Sequence, residues 1–312
     1  MDITETKYGR RATDRKPQEA TEATTAAPVV RNPEITSIRQ RVLDAEHLGA
    51  RSRNAQKVSP EARFSWPRVS VVVPARNEAL NLPIVFEHIP TDVFEIIVVD
   101  GESHDGTADV ARSLRDNVRV VDQDGKGKGN ALICGFEACR GDIIVMIDAD
   151  GSMDAREIPL YVDALVNGAD FAKGSRYLPE GGSTDLTVIR SAGNSGLRIA
   201  VNTLFGTKYT DLCYGYSAFW RWTLPHLALD CDGFEIETMM NIRAQTTGLK
   251  IAEVPSMEAD RIYGVSNLNA IRDGLRILRV IVTERMRPRR RALPAAPETV
   301  GEPEVSSVHA RA

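Results

Sequence analysis

No stretch of this chain holds the roughly 18 uninterrupted apolar residues that a membrane-spanning helix needs, although 42% of its 312 residues are hydrophobic. The sequence therefore predicts no transmembrane helix. An apolar signal-peptide core is also missing from the amino terminus, which points to a cytoplasmic protein. The four cysteines, Cys134, Cys139, Cys213 and Cys231, form no CxxC pair and no metal-ligand spacing with histidine. They read as buried thiols in a reducing compartment. There is no excess of positive charge either: the formal net charge is −4, so the global balance gives no sign of nucleic acid as a partner. The pattern GxxxxGK[ST] is absent, which excludes a P-loop. No internal repeat is evident.

What is present centres on IIVMIDADGS, residues 143–152. An apolar run bounded by turn residues reads as a buried strand. Carboxylates cannot lie along such a strand without partners, so Asp148 and Asp150 must emerge at its carboxyl end. Two hard oxygen donors there suit Mg²⁺ or Mn²⁺. Four further apolar runs precede or follow this one. VSVVVPARNE ends at Pro74, FEIIVVDGES ends at Asp100, VRVVDQD is shorter, and ADFAKGSRY follows. Helical patterns at 80–89, 107–115, after GKGKG and at 158–166 separate them. Strands alternating with single helices predict right-handed βαβ units, hence an α/β domain with a mostly parallel sheet. Ligands of such sheets bind outside the carboxyl ends of the strands, where Pro74 to Glu78, Asp100 and Asp148 fall together. In GKGKG, glycines let backbone N–H groups approach phosphate while Lys126 and Lys128 add charge. By itself that loop is compatible with a plain turn.

The second half is less regular. PEGGSTDLTVIRSAGNSG reads as a mobile loop over a site, 197–205 as a helix, and 233–244 as a helix with Glu235 and Glu237 near its start. Residues 1–66 read as a disordered extension with a helical pattern at 33–51. Residues 267–291 read as a basic amphipathic helix whose apolar residues are Leu268, Ile271, Leu275, Leu278 and Val282. Packing on the domain and binding to an anionic membrane surface are both compatible with that segment. The chain from 292 reads as a disordered tail.

Taken in order, VSVVVPARNEALNL, VVDGESHDGTADVA, GKGKGNAL, MIDADGS and GSRY make residues 67–266 resemble an inverting glycosyltransferase of family 2. The resemblance is greatest to dolichol- and polyprenyl-phosphate mannose or glucose synthases. It extends to Arg190-Ser191…Gly193-Asn194, to Asp211–Tyr216, to Gly233–Glu237 and to Arg261–Ser266. It implies the GT-A fold, a single Rossmann-like sheet flanked by helices. It also implies a nucleotide-sugar donor, Mg²⁺ or Mn²⁺ as cofactor, and polyprenyl phosphate as acceptor. On this resemblance Pro74, Arg76, Glu78 and Asp100 line the nucleotide pocket with Lys126 beside it. Asp148 and Asp150 hold the metal and the donor diphosphate. Arg176, Arg190, Ser191 and Arg261 meet phosphate or acceptor, and Asp211, Glu235 and Glu237 lie near the sugar. A phosphate acceptor needs no general base, whereas a hydroxyl acceptor would need one, and Asp211 or Glu237 is then the expected base. Transfer to a soluble hydroxyl or amine is the alternative within the fold. A nucleotidyltransferase is disfavoured by PARNE after the first strand, and a non-catalytic scaffold by the intact Asp-Ala-Asp.

Overall fold

The computed structural model describes residues 66–265 and 269–288. The described residues begin with β1 (Val69–Ala75), α1 (Leu82–His88), β2 (Glu95–Asp100), α2 (Thr107–Leu114), β3 (Val118–Asp122) and α3 (Gly127–Ala138). It continues through β4 (Ile143–Met146), α4 (Ile158–Val166), β5 (Phe171–Ser175), β6 (Gly182–Ser183) and α5 (Val188–Phe205). The last elements are β7 (Ser217–Trp220), α6 (Leu224–Leu227), α7 (Ile236–Thr246), β8 (Ile251–Pro255), β9 (Met257–Glu258) and α8 (Ala270–Met286). The expected 33–51 helix and the terminal extensions lie outside the described residues.

Seven strands form one sheet in the order β3-β2-β1-β4-β7-β5-β8. Within it β7 runs antiparallel to both of its neighbours, and the other pairs are parallel. Alternation along the central strands sends side chains to opposite faces. Val71, Val73, Ile96, Val98 and Val145 enter a core with residues of α1, α2 and α4. Val72, Ile97, Val99, Ile144 and Met146 enter a second core with residues of α3 and α7. Complete burial of one such side chain contributes roughly 1.5–3 kcal/mol. With both faces covered, the exposed chemistry is confined to the strand ends.

The seven-stranded sheet is single, mostly parallel and flanked by helices, as expected; β6 and β9 form a separate two-stranded parallel ladder, and here one expectation needs correction. This draws in the polar stretch expected as a loop, and from Val188 that stretch is already helical. Thr187 caps α5 by accepting a hydrogen bond from the Arg190 amide. Gly193 and Gly196 each disfavour a helix by about 1 kcal/mol, but tertiary contacts offset this. Val201 packs with Ile242, Ile277 and Ile281, and the buried Asn194 donates to Asp211 at 2.9 Å.

The basic helix packs on the domain, through a face other than the stripe read from the sequence. Ile277 and Ile281 join the cluster with α5 and α7, and Asp273 and Glu284 are buried on the same side. Ile271, Leu275, Leu278 and Val282 remain exposed, with Ile271 at 78% and Leu275 at 63%. Leu268 and Arg289–Arg291 fall outside the described residues.

Candidate active site

At the carboxyl edge of β1 and β4 lies a cavity of about 830 Å³. The chain leaving β4 delivers Asp148 and Asp150 to its wall, and the end of β1 delivers Pro74, Arg76 and Glu78. Lys126, Arg176, Arg190, Glu237 and Arg261 line it as well. Residues separated by most of the sequence are thus brought together as expected from strand polarity. Asp100 is not part of this lining. Its Oδ2 accepts from the Ser103 amide at 3.1 Å, its Oδ1 is buried without a partner, and the neighbouring Gly101 lines the cavity instead.

Lys128, in the first turn of α3, is the node of the site. Its Nζ lies 2.7 Å from Asp148 Oδ1 and 2.7 Å from Glu237 Oε1. Burial opposes charge on this ammonium, but the Asp148 and Glu237 carboxylates outweigh it and raise its pKa. Burial pushes the Asp148 carboxyl up to about 6 against the pull of Lys128, with Asp150 and Glu237 adding to the rise. Glycine at 215 makes the arrangement possible, since a Cβ there would lie 2.6 Å from Glu237 Oε1 and 3.0 Å from Lys128 Nζ. The sequence reading favoured Lys126, which is exposed and carries no ion pair among the described residues. One signal could have singled out Lys128. A cation in the first turn of a helix opposes the helix dipole, so its placement there calls for a nearby acid.

Asp150 is engaged differently. Arg261 Nη2 approaches its Oδ2 at 3.1 Å while Nη1 reaches Glu78 Oε1 at 2.8 Å. The Ile262 amide donates to the Asp150 carbonyl at 3.2 Å. Asn81, at the N-cap of α1, makes no side-chain capping hydrogen bond. Its side chain instead exchanges two hydrogen bonds with the Tyr263 backbone, at 3.1 and 3.0 Å. The 259–264 segment is therefore strapped across the Asp-Ala-Asp corner from both sides.

Arg176 and Asp211 form a bidentate pair, Nε to Oδ2 at 2.7 Å and Nη2 to Oδ1 at 3.0 Å. Arg176 Nη1 also meets Glu258 at 2.9 Å. Asp211 is fully buried and does not line the cavity. Burial alone would raise its carboxyl pKa, but the hydrogen bonds from Arg176 and the charges of Lys173 and Arg176 bring it below the ordinary carboxylate range. A carboxylate so engaged is a poor base, and the expectation of Asp211 as a general base is corrected accordingly. Its role here is to anchor the Gly-Ser-Arg-Tyr corner, β9 and α5.

Arg190 pairs with Asp185 at 2.5 Å. Ser191 contacts the Tyr177 hydroxyl at 3.0 Å and borders a neighbouring, shallower pocket with Arg176, Tyr177 and Val188. Glu235 precedes α7, with Oε1 accepting from the Gly233 amide at 3.3 Å and a buried, unpartnered Oε2. Glycines of GKGKG serve chain crossing rather than an open phosphate cradle. The Gly129 and Asn130 amides donate to the Asp232 carbonyl at 2.8 and 3.3 Å. A Cβ at Gly127 would lie 2.3 Å from that oxygen.

Asp148 and Asp150 are the residues able to hold a divalent ion. Among the described residues no group of three or more His, Cys, Asp and Glu is arranged to do so. Two carboxylates still fit Mg²⁺ or Mn²⁺, since such ions commonly take one or two carboxylates and complete their shell with water and substrate phosphate.

A doubly covered, mostly parallel sheet with an Asp-x-Asp corner at its carboxyl edge defines a GT-A glycosyltransferase. The model of "Glycosyl transferase family 2" matches residues 70–221. The chain is 32% identical over 209 residues to Glycosyltransferase AglJ of Haloferax volcanii, covering 66% of this chain and 68% of that one. It is 33% identical over 215 residues to the polyprenol monophosphomannose synthase of Mycolicibacterium smegmatis, covering 65% and 81%. The chain belongs to glycosyl transferase family 2. Among solved structures, it is similar to glucosyl-3-phosphoglycerate synthase from Mycobacterium tuberculosis in complex with Mn²⁺, UDP and glucosyl-3-phosphoglycerate. The TM-score is 0.55 at 24% identity, covering 71% of this chain and 81% of that one.

Proposed function

We propose that this glycosyltransferase moves a sugar, with inversion, from a UDP- or GDP-sugar to polyprenyl phosphate at a membrane surface. The observation that carries the reading is the union of two features at one cavity. Asp148 and Asp150 form its floor, and α8, with an exposed apolar stripe, forms part of its wall. A relative named for polyprenol monophosphomannose synthesis supports the choice of acceptor.

In this reading Pro74, Arg76, Glu78 and Lys126 serve the nucleotide end of the cavity, with Asp100 behind them. Asp148 and Asp150 would hold Mg²⁺ or Mn²⁺, which supplies positive charge against the charge growing on the departing diphosphate. Arg261 leaves Asp150 and Glu78 as the donor enters, and its guanidinium is suited to a diphosphate oxygen. The Lys128 ammonium holds Asp148 and Glu237 in place beside the sugar. An acceptor phosphate oxygen then attacks the anomeric carbon from the side opposite the diphosphate, the glycosidic C–O bond to the diphosphate breaks, and configuration inverts. The phosphate is already anionic, so no side chain removes a proton. Arg190 and Ser191 border the acceptor entrance.

Among the described residues no helix is long and apolar enough to cross a membrane. Surface attachment is assigned to α8, where Ile271, Leu275, Leu278, Val282 and Met286 make the exposed stripe and arginines flank it. Apolar burial and attraction to anionic lipid act together in such helices.

The test is release of nucleoside diphosphate from a panel of UDP- and GDP-sugars, with Mn²⁺ or Mg²⁺ or with EDTA, and with or without polyprenyl phosphate. Release that requires both metal and lipid is expected. Metal-dependent release that ignores the lipid would replace the lipid acceptor with a soluble one.

A further inference from the structure

Arg76 and Lys126 line the nucleotide end of the cavity and carry no ion pair among the described residues; the cations beyond that end fall into two groups. Lys128, Arg176, Arg190 and Arg261 are each committed to at least one carboxylate. Arg272 and Arg276 line the same cavity, and among the described residues neither guanidinium has an ion pair or hydrogen bond. Their placement is built in. Asn269 caps α8 by accepting from the Arg272 amide at 3.0 Å, and Asp273 accepts from the Asn269 amide at 2.8 Å. Arg276 Nη1 reaches over Gly233, coming within 2.7 Å of where a Cβ would stand. Two uncommitted guanidiniums one helical turn apart suit a phosphate.

The adjacent face of the same turn is apolar. Ile271 precedes Arg272, and Leu275 precedes Arg276, and both apolar side chains are exposed. Successive helical residues point about 100° apart, so a cationic edge and an apolar edge run side by side at the mouth of the cavity. A nucleotide or a soluble sugar phosphate would use the arginines and leave the stripe bare. A plain lipid surface would use the stripe and leave the cleft-lining arginines unengaged. A phosphate esterified to a hydrocarbon chain uses both.

We propose that Arg272 and Arg276 are the receptor for the phosphate of the lipid acceptor, with Ile271 and Leu275 seating the first units of its chain. This rests on the polyprenyl phosphate reading above. Arg176, which the family resemblance offered for phosphate, then acts as a positioning residue through Asp211 and Glu258.

The experiment is calorimetric titration of the full chain with farnesyl phosphate, farnesol and inorganic phosphate, paired with initial rates on polyprenyl phosphate. R272Q/R276Q is compared with R140Q/K208Q, which removes the same charge from exposed positions outside the cavity lining and outside α8. Binding of UDP or GDP with Mn²⁺ reports that each variant is folded. Wild type is expected to prefer farnesyl phosphate over both of its fragments. R272Q/R276Q is expected to weaken that binding and raise KM for the lipid by about tenfold or more, with kcat little changed. R272K/R276K should recover part of the loss, and R140Q/K208Q should stay within about twofold of wild type. Equal binding by wild type and R272Q/R276Q would overturn the inference alone, as would an equal loss in R140Q/K208Q. A wild-type protein indifferent to the prenyl chain in both binding and turnover would remove the acceptor reading and this inference with it.

Discussion

The Lys128 ammonium lies 2.7 Å from the Glu237 carboxylate, joining the first turn of α3 to the first turn of α7. The same ammonium holds Asp148, so three partly buried charged groups from α3, α7 and the chain leaving β4 share one point. Removing one partner of a fully buried ion pair leaves an uncompensated charge and costs roughly 3–5 kcal/mol, and these partly exposed groups set the expected cost below that range. Lys128→Met is therefore expected to lower the unfolding midpoint in urea. The double variant Lys128→Met/Glu237→Gln should recover a measurable part of that loss, since the second change removes a stranded carboxylate. Strict additivity of the two changes would show that the pair is not coupled.

Arg261 is expected to control the order of the 259–264 segment. Arg261→Ala removes the contacts to Asp150 and Glu78 but leaves the Asn81–Tyr263 hydrogen bonds. Amide exchange at Ile262 and its neighbours should accelerate by about tenfold or more, with the core strands unchanged. Exchange identical to wild type would mean that the arginine does not fasten the strap.

Asp211→Asn should act on stability before chemistry. It leaves Arg176 with Glu258 alone in a buried site, and a loss of roughly 2–4 kcal/mol is expected. Denaturant titration checks this. A variant as stable as wild type but inactive would restore Asp211 to a direct role in transfer.

Glu157 gives the expected pH dependence. Burial pushes its carboxyl up to about 7, although Ser256 and the Met257 amide hydrogen-bond to it. Between its ordinary value of 4.5 and about 7, the folded protein keeps a proton that the unfolded chain has released. Its contribution is fully present below that ordinary value and is lost as pH rises through about 7. The slope is bounded by one proton, about 1.4 kcal/mol per pH unit. Glu157→Gln should flatten the decline in unfolding free energy across this window. Parallel wild-type and variant profiles would show that Glu157 is not its source.

The parallel sheet was legible because β1, β2 and β4 are apolar runs buried on both faces, and their polarity alone brought Pro74, Glu78 and Asp148 to one edge. The small β6–β9 ladder was not, since Gly182-Ser183 and Met257-Glu258 carry no pattern and pair only because the chain folds back. α5 was half hidden by its glycines, which tertiary packing overrode. The stripe at Ile271, Leu275, Leu278 and Val282 was visible as an amphipathic face, but periodicity cannot say which face of a helix meets protein. Ile277 and Ile281, fewer and interleaved with charge, turned out to be the packed side. Partnership was the least legible property. Nothing local distinguishes Arg176, committed to two carboxylates, from Arg272, committed to none among the described residues.

The measurement that bears most directly on the whole account is mass analysis of the lipid phase after incubation with a nucleotide sugar, Mn²⁺ and polyprenyl phosphate. The account predicts a phosphoprenol heavier by one anhydrosugar unit, formed by wild type and lost in Asp148→Ala. Lipid recovered unmodified, with sugar transferred only to water-soluble material, would contradict it.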